Sequence, residues 1–210
     1  MKRLKKTPIV IATTNPGKLA QFADLFAKLT DRYDIVSLKD VKYKKAIIEN
    51  GKTFKQNSLI KARTVSKALK CIAIADDSGL CINSLHGWPG VYSARVTGDH
   101  EAKRIDVIKC VLEKIKKKSH KAIFVCVMSC VFPNGKVITT KGVLKGKISD
   151  RFFNLYGGLT YDPIFIPKGF TQTMSMLTDK EKNAISHRGI AARKLIFKFN
   201  KYIGKLQDNK

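Results

Sequence analysis

Residues 71–80 read CIAIADDSGL, a short apolar run that leads into two adjacent aspartates. The run Cys71–Ala75 is apolar on both faces, which predicts a central strand that is covered from both sides and ends at Ala75. Because ligands of open α/β sheets bind beyond the carboxyl ends of the strands, this strand predicts a site at Asp76 and Asp77.

The chemistry of Asp76 and Asp77 supports two interpretations. Adjacent carboxylates repel each other unless a cation lies near them, and a hard cation with oxygen ligands such as Mg²⁺ suits them. Alternatively they form an ordinary turn, in which Asp76 caps backbone N–H groups and Asp77 is solvated. These two residues alone leave both interpretations open.

The rest of the sequence predicts alternating strands and helices on both sides of this run. Asn15 and Pro16 are typical of a helix start, and Thr53–Gln56 and Thr178–Glu181 have the spacing of capping boxes. The predicted strands are Thr7–Ala12, Tyr33–Leu38, Ala122–Phe132 and Lys136–Leu144, and the predicted helices span about 53–69, 101–116 and 186–202, besides the one that follows Asn15. This order predicts an α/β fold with a mixed sheet, in one domain over residues 1–210.

Length and composition restrict the class of protein. With 210 residues, 44% of them hydrophobic, the chain can bury an ordinary core. No apolar stretch approaches the roughly 20 residues of a spanning helix, and the apolar run near the basic N-terminus is shorter than a signal-peptide core, so we expect a cytoplasmic protein without membrane association. The five cysteines form no C-x-x-C pair, which favours reduced thiols over a zinc site or disulfides.

The net charge of +25 is the most unusual bulk property. It predicts attraction to polyanions such as nucleic acid or phosphorylated small molecules. Lysines supply 33 of the 41 basic residues and are scattered along the chain. Since nucleic-acid-binding proteins tend to cluster arginines and interleave aromatic residues, and no such cluster occurs, we expect at most non-specific binding to nucleic acid.

Two further polar segments lie at predicted helix starts. Thr13–Lys18 (TTNPGK) combines hydroxyls, an amide, backbone N–H groups at a helix N-terminus and one ammonium group, which suits a phosphate. It is neither a Walker loop nor G-x-G-x-x-G, and by itself it also fits an ordinary helix start. Near the C-terminus His187 and Arg188 begin another predicted helix, for which Ser186 would be an ordinary cap.

Six segments together resemble the inosine triphosphate pyrophosphatase family. They are ATTNPGK at 12–18, ENGKTFKQNSLIKA at 49–62, ADDSGL at 75–80, GWPGVYSAR at 87–95, YDPIF at 161–165 and EKNAISHRG at 181–189. Their order and spacing match the family from about Thr7 to Leu195. The resemblance implies Mg²⁺-dependent hydrolysis of non-standard purine nucleoside triphosphates (ITP, dITP and XTP) to the monophosphate and pyrophosphate, which cleanses the nucleotide pool.

The resemblance also implies an architecture and an assembly. The fold would be an elongated α/β fold in which a long mixed β-sheet carries two lobes, with the active site in the central cleft. The protein would be a homodimer, its cofactor Mg²⁺ and its substrate a purine nucleoside triphosphate.

The roles implied by motif position fall into three groups. Glu49 and Asp77 would hold Mg²⁺ with support from Asp76, and Asp77 would also act as the base for the attacking water. The triphosphate would be bound by Thr13, Thr14, Asn15, Pro16, Gly17, Lys18, Lys61 and Ser78. The nucleoside end would be lined by Leu159, Thr160, Tyr161, Asp162, Lys182, His187 and Arg188.

The chain departs from the family pattern near the nucleoside end. The family usually reads G-G-F-G-Y-D-P, but here Leu159 replaces the aromatic residue that would stack on the purine and Thr160 replaces a glycine. Ser175 and Met176 replace a usual Ala-Glu pair. We therefore expect pyrophosphate release to be retained with weakened or altered base selectivity. A neighbouring aromatic residue would compensate: Phe152, Phe153 or Tyr156.

Two other functions stay open at this point. One is a pyrophosphatase of the same mechanism with a shifted base preference, such as for a modified pyrimidine, which would keep the metal and phosphate residues. The other is a basic nucleic-acid-binding protein, which would leave the Asp76–Asp77 pair without a purpose. An inactive relative is disfavoured because Glu49, Asp77, Lys18 and Lys61 are all retained.

Overall fold

The structure is a computed structural model that describes residues 6–97, 103–154 and 158–208. Within these ranges the chain forms six β-strands and five α-helices. The strands are β1 (Thr7–Ile11), β2 (Tyr33–Ser37), β3 (Ile72–Ile82), β4 (Lys121–Val131), β5 (Val137–Ile148) and β6 (Phe165–Pro167). The helices are α1 (Pro16–Leu25), α2 (Phe54–Leu69), α3 (Arg104–Ile115), α4 (Asp179–Ile185) and α5 (His187–Asp208).

The six strands form one sheet in the order β2-β1-β3-β4-β5-β6. Strand β1 pairs in parallel with both β2 and β3, so that Ile9 lies opposite Ile35 on one side and Ile72 on the other. At the other edge β6 pairs antiparallel with β5. The sheet is therefore mixed, which confirms the predicted α/β fold with a mixed sheet.

The chain divides into two compact units. The first unit consists of Met1–Asp77, Cys126–Gly142 and Gly189–Lys210. The second unit consists of Ser78–Val125 and Val143–Arg188. Each unit has its own buried apolar residues.

In the first unit, helices cover both faces of the sheet. Side chains alternate between the two faces along a strand. One face, which includes Ile9 and Ile74, packs against α1 and α5. The other face, which includes Val10 and Ala75, packs against α2. This two-sided burial explains why the run Cys71–Ala75 is apolar throughout.

Strand β3 corrects the predicted strand end. It does not end at Ala75 but continues through both aspartates to Ile82. Leu80 and Ile82 are fully buried, so apolar residues resume beyond the aspartates and extend the strand. Two acids are tolerated inside the strand because each accepts a hydrogen bond from a helix side chain.

The second unit has a separate core in which α3 packs with parts of β3 and β4. Its buried members include Leu80, Ile108, Phe124 and Phe165. The rings of Phe124 and Phe165 lie 4.2 Å apart between centroids. This aromatic pair connects β4 with β6 in the core of the second unit.

The starts of α1 and α2 follow the predicted caps with one difference. The Asn15 side chain accepts a hydrogen bond from the N–H of Lys18 and caps α1. Thr53 likewise caps α2 by accepting from the N–H of Gln56. The Gln56 side chain, however, accepts from the N–H of Lys52 rather than that of Thr53, so the predicted box is only half formed.

Other boundaries differ from prediction by a few residues. Strand β5 runs on to Ile148, because β6 pairs with its last residues. Helix α5 runs on to Asp208, and Ile203 packs against the core of the first unit in this added part. The predicted start of α3 at Glu101 lies outside the described residues. The capping box of Thr178–Glu181 is complete, as predicted.

Two general features complete the description. None of the helices within the described ranges has the length and apolar character needed to cross a membrane. The five cysteines are free thiols, of which Cys71, Cys126 and Cys130 are buried and the other two half-buried.

Candidate active site

The side chain of Asp76 lies on the face of β3 that packs against α1. The Nζ atom of Lys18 in α1 lies 3.1 Å from its Oδ1 atom, and Cys126 Sγ lies 3.9 Å from its Oδ2 atom. The Asp76 side chain has no exposed surface, so Lys18 supplies positive charge at close range to a fully desolvated carboxylate.

Asp77 lies on the opposite face, which packs against α2. Asn57 of α2 donates Nδ2 to Asp77 Oδ2 at 3.0 Å. Because adjacent residues of a strand point to opposite faces, the two carboxylates contact different helices. A cation near them was one of the two interpretations that the sequence left open, and it stays a prediction.

A second carboxylate, Glu49, lies near Asp77. It precedes α2 and its Oε2 atom is 2.7 Å from Nζ of Lys61. Asn57 and Lys61 are four residues apart and therefore share one face of α2. Both Glu49 and Lys61 are close enough to Asp77 to affect its pKa. We call Glu49, Asn57, Lys61 and Asp77 the carboxylate cluster.

Asn57 links the loop that contains Glu49 to the strand that contains Asp77. Its Oδ1 atom accepts a hydrogen bond from the N–H of Gly51 at 2.8 Å, while its Nδ2 donates to Asp77. These two bonds fix which way the amide points. A Cβ atom at residue 51 would collide with the Asn57 side chain, so the close approach of the loop requires Gly51.

The pKa of Asp77 is raised above the ordinary value of an aspartate. Burial is the largest cause, because it penalises the charged form. Lys61, the hydrogen bond from Asn57 and Lys18 lower the pKa, whereas the negative charge of Glu49 raises it. A buried carboxylate with a raised pKa is a better proton acceptor than a solvated one, which suits a general base.

The donor atoms of the carboxylate cluster fit a hard divalent cation. Glu49 and Asp77 offer carboxylate oxygens, and Mg²⁺ is commonly bound by one or two carboxylates together with waters and substrate phosphates. Within the described ranges, no group of three or more His, Cys, Asp or Glu side chains is arranged to hold a metal ion. The predicted role of Asp76 in supporting the metal shell stays a prediction.

The predicted phosphate loop lies at the start of α1 in the same unit. The N–H of Asn15 donates to Thr13 Oγ1 at 3.3 Å, and the Asn15 side chain accepts from the N–H of Lys18 at 3.1 Å. These bonds hold the loop in shape without a ligand. The exposed residues of the loop are Thr14, Asn15, Pro16 and Gly17. They surround the positive end of the helix dipole, where an anion is favoured.

In the second unit, Asp162 organises a tight turn. Its Oδ2 atom accepts a hydrogen bond from the N–H of Leu159 at 2.8 Å, and its own N–H donates to the carbonyl of Leu159 at 2.9 Å. Gly158 precedes the turn with a φ of 70°, and a Cβ atom there would collide with the Asp162 carboxylate. Only glycine fits this position without strain.

Asp162 is buried among cationic side chains. Burial raises the pKa of this carboxyl group, and the Leu159 N–H, Lys182, Arg188 and Arg104 act in the opposite direction. Lys182 is 5% exposed and Arg188 is 2% exposed, which is rare for these residue types outside a site or a paired network. The arrangement offers several hydrogen-bond donors beside one buried acceptor.

Arg188 and His187 are held by different neighbours. Arg188 donates from Nη2 to Ser78 Oγ at 2.9 Å. The His187 ring stacks on Phe124, with ring centroids 4.7 Å apart and an angle of 19° between the planes. Both side chains are therefore positioned before any ligand binds, which reduces the ordering cost of binding.

Comparisons with known proteins identify the family of the chain. The family model described as the Ham1 family matches residues 9–198, nearly the whole chain. The chain belongs to the Ham1 family.

Ham1-family relatives of known name match over most of their length. A dITP/XTP pyrophosphatase of Bacillus licheniformis is 42% identical over 192 residues, which cover 89% of this chain and 95% of that protein. A dITP/XTP pyrophosphatase of Bacillus subtilis is 40% identical and covers 89% of this chain and 93% of the relative. The solved structure of a HAM1 protein from Coxiella burnetii matches with a TM-score of 0.83 at 34% identity, over 93% of this chain and 99% of that one.

The predicted site residues of this Ham1-family chain fall into two groups. The first unit holds Thr13, Thr14, Asn15, Pro16, Gly17, Lys18, Glu49, Lys61, Asp76 and Asp77. The second unit holds Ser78, Leu159, Thr160, Tyr161, Asp162, Lys182, His187 and Arg188. Ser78 was predicted with the phosphate residues, and it accepts a hydrogen bond from Arg188 of the predicted nucleoside end. Tyr156 and Gly157 lie outside the described residues.

Two residues that contact the predicted site were missed in the sequence. One is Asn57, which orients Asp77. The other is Ser93, whose carbonyl accepts a hydrogen bond from the Tyr161 hydroxyl at 2.6 Å and whose Oγ accepts from the N–H of Leu80 at 3.0 Å. For Asn57 the sequence did contain a signal, because an asparagine inside a helix is unfavourable unless its side chain has a partner.

Replacing Asp162 with asparagine should change the pH dependence of stability. The folded-state pKa lies above the unfolded value of 3.8, so the contribution of this group is full below about pH 3.8 and is lost as the pH rises through the folded pKa. Asp162→Asn cannot ionise, so its stability relative to the wild type should increase from acid to neutral pH. Thermal denaturation across this range measures the difference, at about 2–4 °C per kcal/mol.

The control for this experiment is Asp31→Asn, which removes an exposed aspartate. Its melting temperature relative to the wild type should vary little with pH. If the two variants show the same pH profile, the burial of Asp162 does not govern its ionisation.

Proposed function

We propose that this Ham1-family chain hydrolyses non-standard purine nucleoside triphosphates, such as dITP, ITP and XTP, to the monophosphate and pyrophosphate. The observation that carries the proposal is the carboxylate cluster, in which a buried Asp77 with a raised pKa lies near Glu49 and Lys61. The names of the relatives, at about 40% identity over most of the chain, support the substrate class.

Asp77 is the proposed general base. It takes a proton from the water that attacks the α-phosphorus, the new phosphorus–oxygen bond forms, and the bond to the oxygen that bridges to the β-phosphorus breaks. Pyrophosphate leaves with the bridging oxygen. Asn57 keeps the Asp77 carboxylate oriented through the 3.0 Å hydrogen bond.

Lys18 and Lys61 are proposed to stabilise the charge that gathers on the phosphate oxygens. In the structure each pairs with a carboxylate, Lys18 with Asp76 and Lys61 with Glu49. A triphosphate brings new negative charge to both ammonium groups, and fixed cations aimed at the developing charge favour the transition state over the ground state.

Glu49 and Asp77 are the residues that would hold Mg²⁺. When bound, Mg²⁺ supplies charge neutralisation of the phosphates and lowers the pKa of water in its shell. If Glu49 bound the metal, it would no longer pair with Lys61, and the ammonium group of Lys61 would be left for the triphosphate. We therefore expect metal and nucleotide to bind cooperatively.

The second unit supplies the proposed nucleoside contacts. A 6-oxo purine presents an acceptor where adenine presents a 6-amino donor. Lys182 and Arg188 carry only donors and are buried, so they would lose hydrogen bonds with adenine, and such mismatches discriminate strongly.

A homodimer, implied by the family resemblance, is also part of the proposal, and analytical ultracentrifugation tests it.

Product analysis tests the proposed function. We expect pyrophosphate release from dITP, ITP and XTP in Mg²⁺, loss of the activity with a chelator, and slower release from ATP. Orthophosphate as the first product would contradict cleavage between the α and β phosphates. If pyrophosphate release were fastest from a pyrimidine nucleotide such as dUTP, the proposed mechanism would stand but the proposed substrate class would be wrong.

A further inference from the structure

Two phenylalanines, Phe152 and Phe153, lie at the surface of the second unit next to the Asp162 turn. They are 41% and 37% exposed. The chain has a net charge of +25, and these two exposed aromatic rings are not part of the cores described above. Exposed aromatic residues beside a polar site commonly contact a ligand, since every nucleobase offers a flat π-face.

The backbone of Phe153 is fixed on both sides of the residue. Its N–H donates to the carbonyl of Pro163 at 2.9 Å, and its carbonyl accepts a hydrogen bond from Ser175 Oγ at 2.7 Å. Pro163 directly follows Asp162 in the chain. Phe153 is therefore held beside the carboxylate turn, although Phe153 and Pro163 are ten positions apart in sequence.

Ser175 connects these segments through three further contacts. Its N–H donates to the carbonyl of Asp162 at 3.1 Å, and its carbonyl accepts from Asn154 Nδ2 at 3.1 Å. Its hydroxyl also lies 3.0 Å from Thr173 Oγ1. Ser175 is only 4% exposed, so loss of its hydroxyl would leave the Phe153 carbonyl without this donor in a dry environment.

The Phe153 ring already has a cation on it. The guanidinium carbon of Arg151 lies 5.1 Å from the ring centroid, which is within cation–π distance. This contact limits rotation of the ring while more than a third of the residue stays exposed. By contrast Leu159, on the same turn, is aliphatic and half-buried and cannot stack on a base.

We infer that Phe153 is the residue on which the purine base of the substrate stacks, and that Ser175 is the positioning residue that holds it against the Asp162 turn. The inference rests on the proposed function for the identity of the substrate. It makes Phe153 a determinant of base affinity rather than of phosphate chemistry.

The test compares a substrate that has a base with one that lacks it. Phe153→Leu should lower kcat/KM for ITP by about ten- to a hundredfold, the effect of losing one base–aromatic stack. The same variant should hydrolyse ribose 5-triphosphate, which has no base to stack, at the wild-type rate. Phe170→Leu is the matched control, because Phe170 is 38% exposed in the same unit and should leave both substrates unaffected.

Ser175→Ala tests the positioning role. Its KM for ITP should rise, with kcat and the hydrolysis of ribose 5-triphosphate unchanged.

Phe153→Trp provides a direct binding signal, since its indole fluorescence should be quenched by IMP beyond any change seen for the native Trp88 in the wild type. A Phe153→Leu variant that loses both substrates equally, or a Phe152→Leu variant that alone shows the base-dependent loss, overturns the assignment.

These measurements separate the inference from the proposed function. If the wild type releases no pyrophosphate from ITP, dITP or XTP, the proposed function fails, and failure of IMP to quench Phe153→Trp then overturns the stacking role as well. If the wild type is active but Phe153→Leu matches Phe170→Leu on ITP, the proposed function stands and the stacking role of Phe153 is wrong.

Discussion

The Asp77→Asn variant should lose pyrophosphate release by about a hundred- to ten-thousandfold, the usual contribution of a general base. Asparagine keeps the size of the side chain and its carbonyl oxygen can still accept the hydrogen bond from Asn57 Nδ2. It cannot take a proton. Steady-state rates with dITP at saturating Mg²⁺ measure the loss, and circular dichroism checks that the fold is retained.

Metal titration separates the two roles proposed for Asp77. If Asp77 only bound Mg²⁺, a higher metal concentration would restore the rate of Asp77→Asn. If it is the base, excess metal should not restore the rate. The wild type should then lose activity at acid pH as Asp77 is protonated, and the variant should not show this loss. An Asp77→Asn protein that turns over at the wild-type rate with intact Mg²⁺ dependence would show that the mechanism is wrong.

The elements that carry the candidate site were more predictable than the contacts between its residues. The sequence predicted the buried strand, the capped helix after Asn15 and the acids at 76 and 77, because apolar runs and caps are local signals. It did not predict that β3 continues through the acids. A strand end was inferred from the loss of apolar residues, yet Leu80 and Ile82 resume the buried pattern.

The contacts missed in the sequence join residues that are distant along the chain. Asn57 reaches Asp77 from another element, and Ser175 reaches Phe153 across 22 positions. Local propensity carries no information on such pairs, since they depend on how elements pack. The same holds for the opposite orientations of Asp76 and Asp77, which follow from strand periodicity only once the strand is known to include them.

Lys61→Met should have opposite effects on metal binding and on catalysis. In the structure Lys61 neutralises Glu49 at 2.7 Å, so its removal leaves Glu49 more attractive to a cation. Without nucleotide, Mn²⁺ affinity should therefore rise about three- to tenfold, a modest gain because the Glu49 side chain is 36% exposed and screened by solvent. Pyrophosphate release should fall about a hundred- to a thousandfold, the scale of removing one fixed transition-state contact.

Methionine keeps most of the buried volume of the lysine stem, so packing in α2 should survive. The matched control is Lys67→Met, which removes the same charge from an exposed position of the same helix and should change neither quantity. Mn²⁺ binding is followed by electron paramagnetic resonance and hydrolysis by pyrophosphate release. A fall in both quantities would make Lys61 a structural support of the metal site. A rise in Mn²⁺ affinity with unchanged hydrolysis would show that Lys61 does not bind the triphosphate. A rise in Mn²⁺ affinity with slower hydrolysis is the result expected if the metal binds Glu49 and the triphosphate binds Lys61, so that each takes one partner of the ion pair.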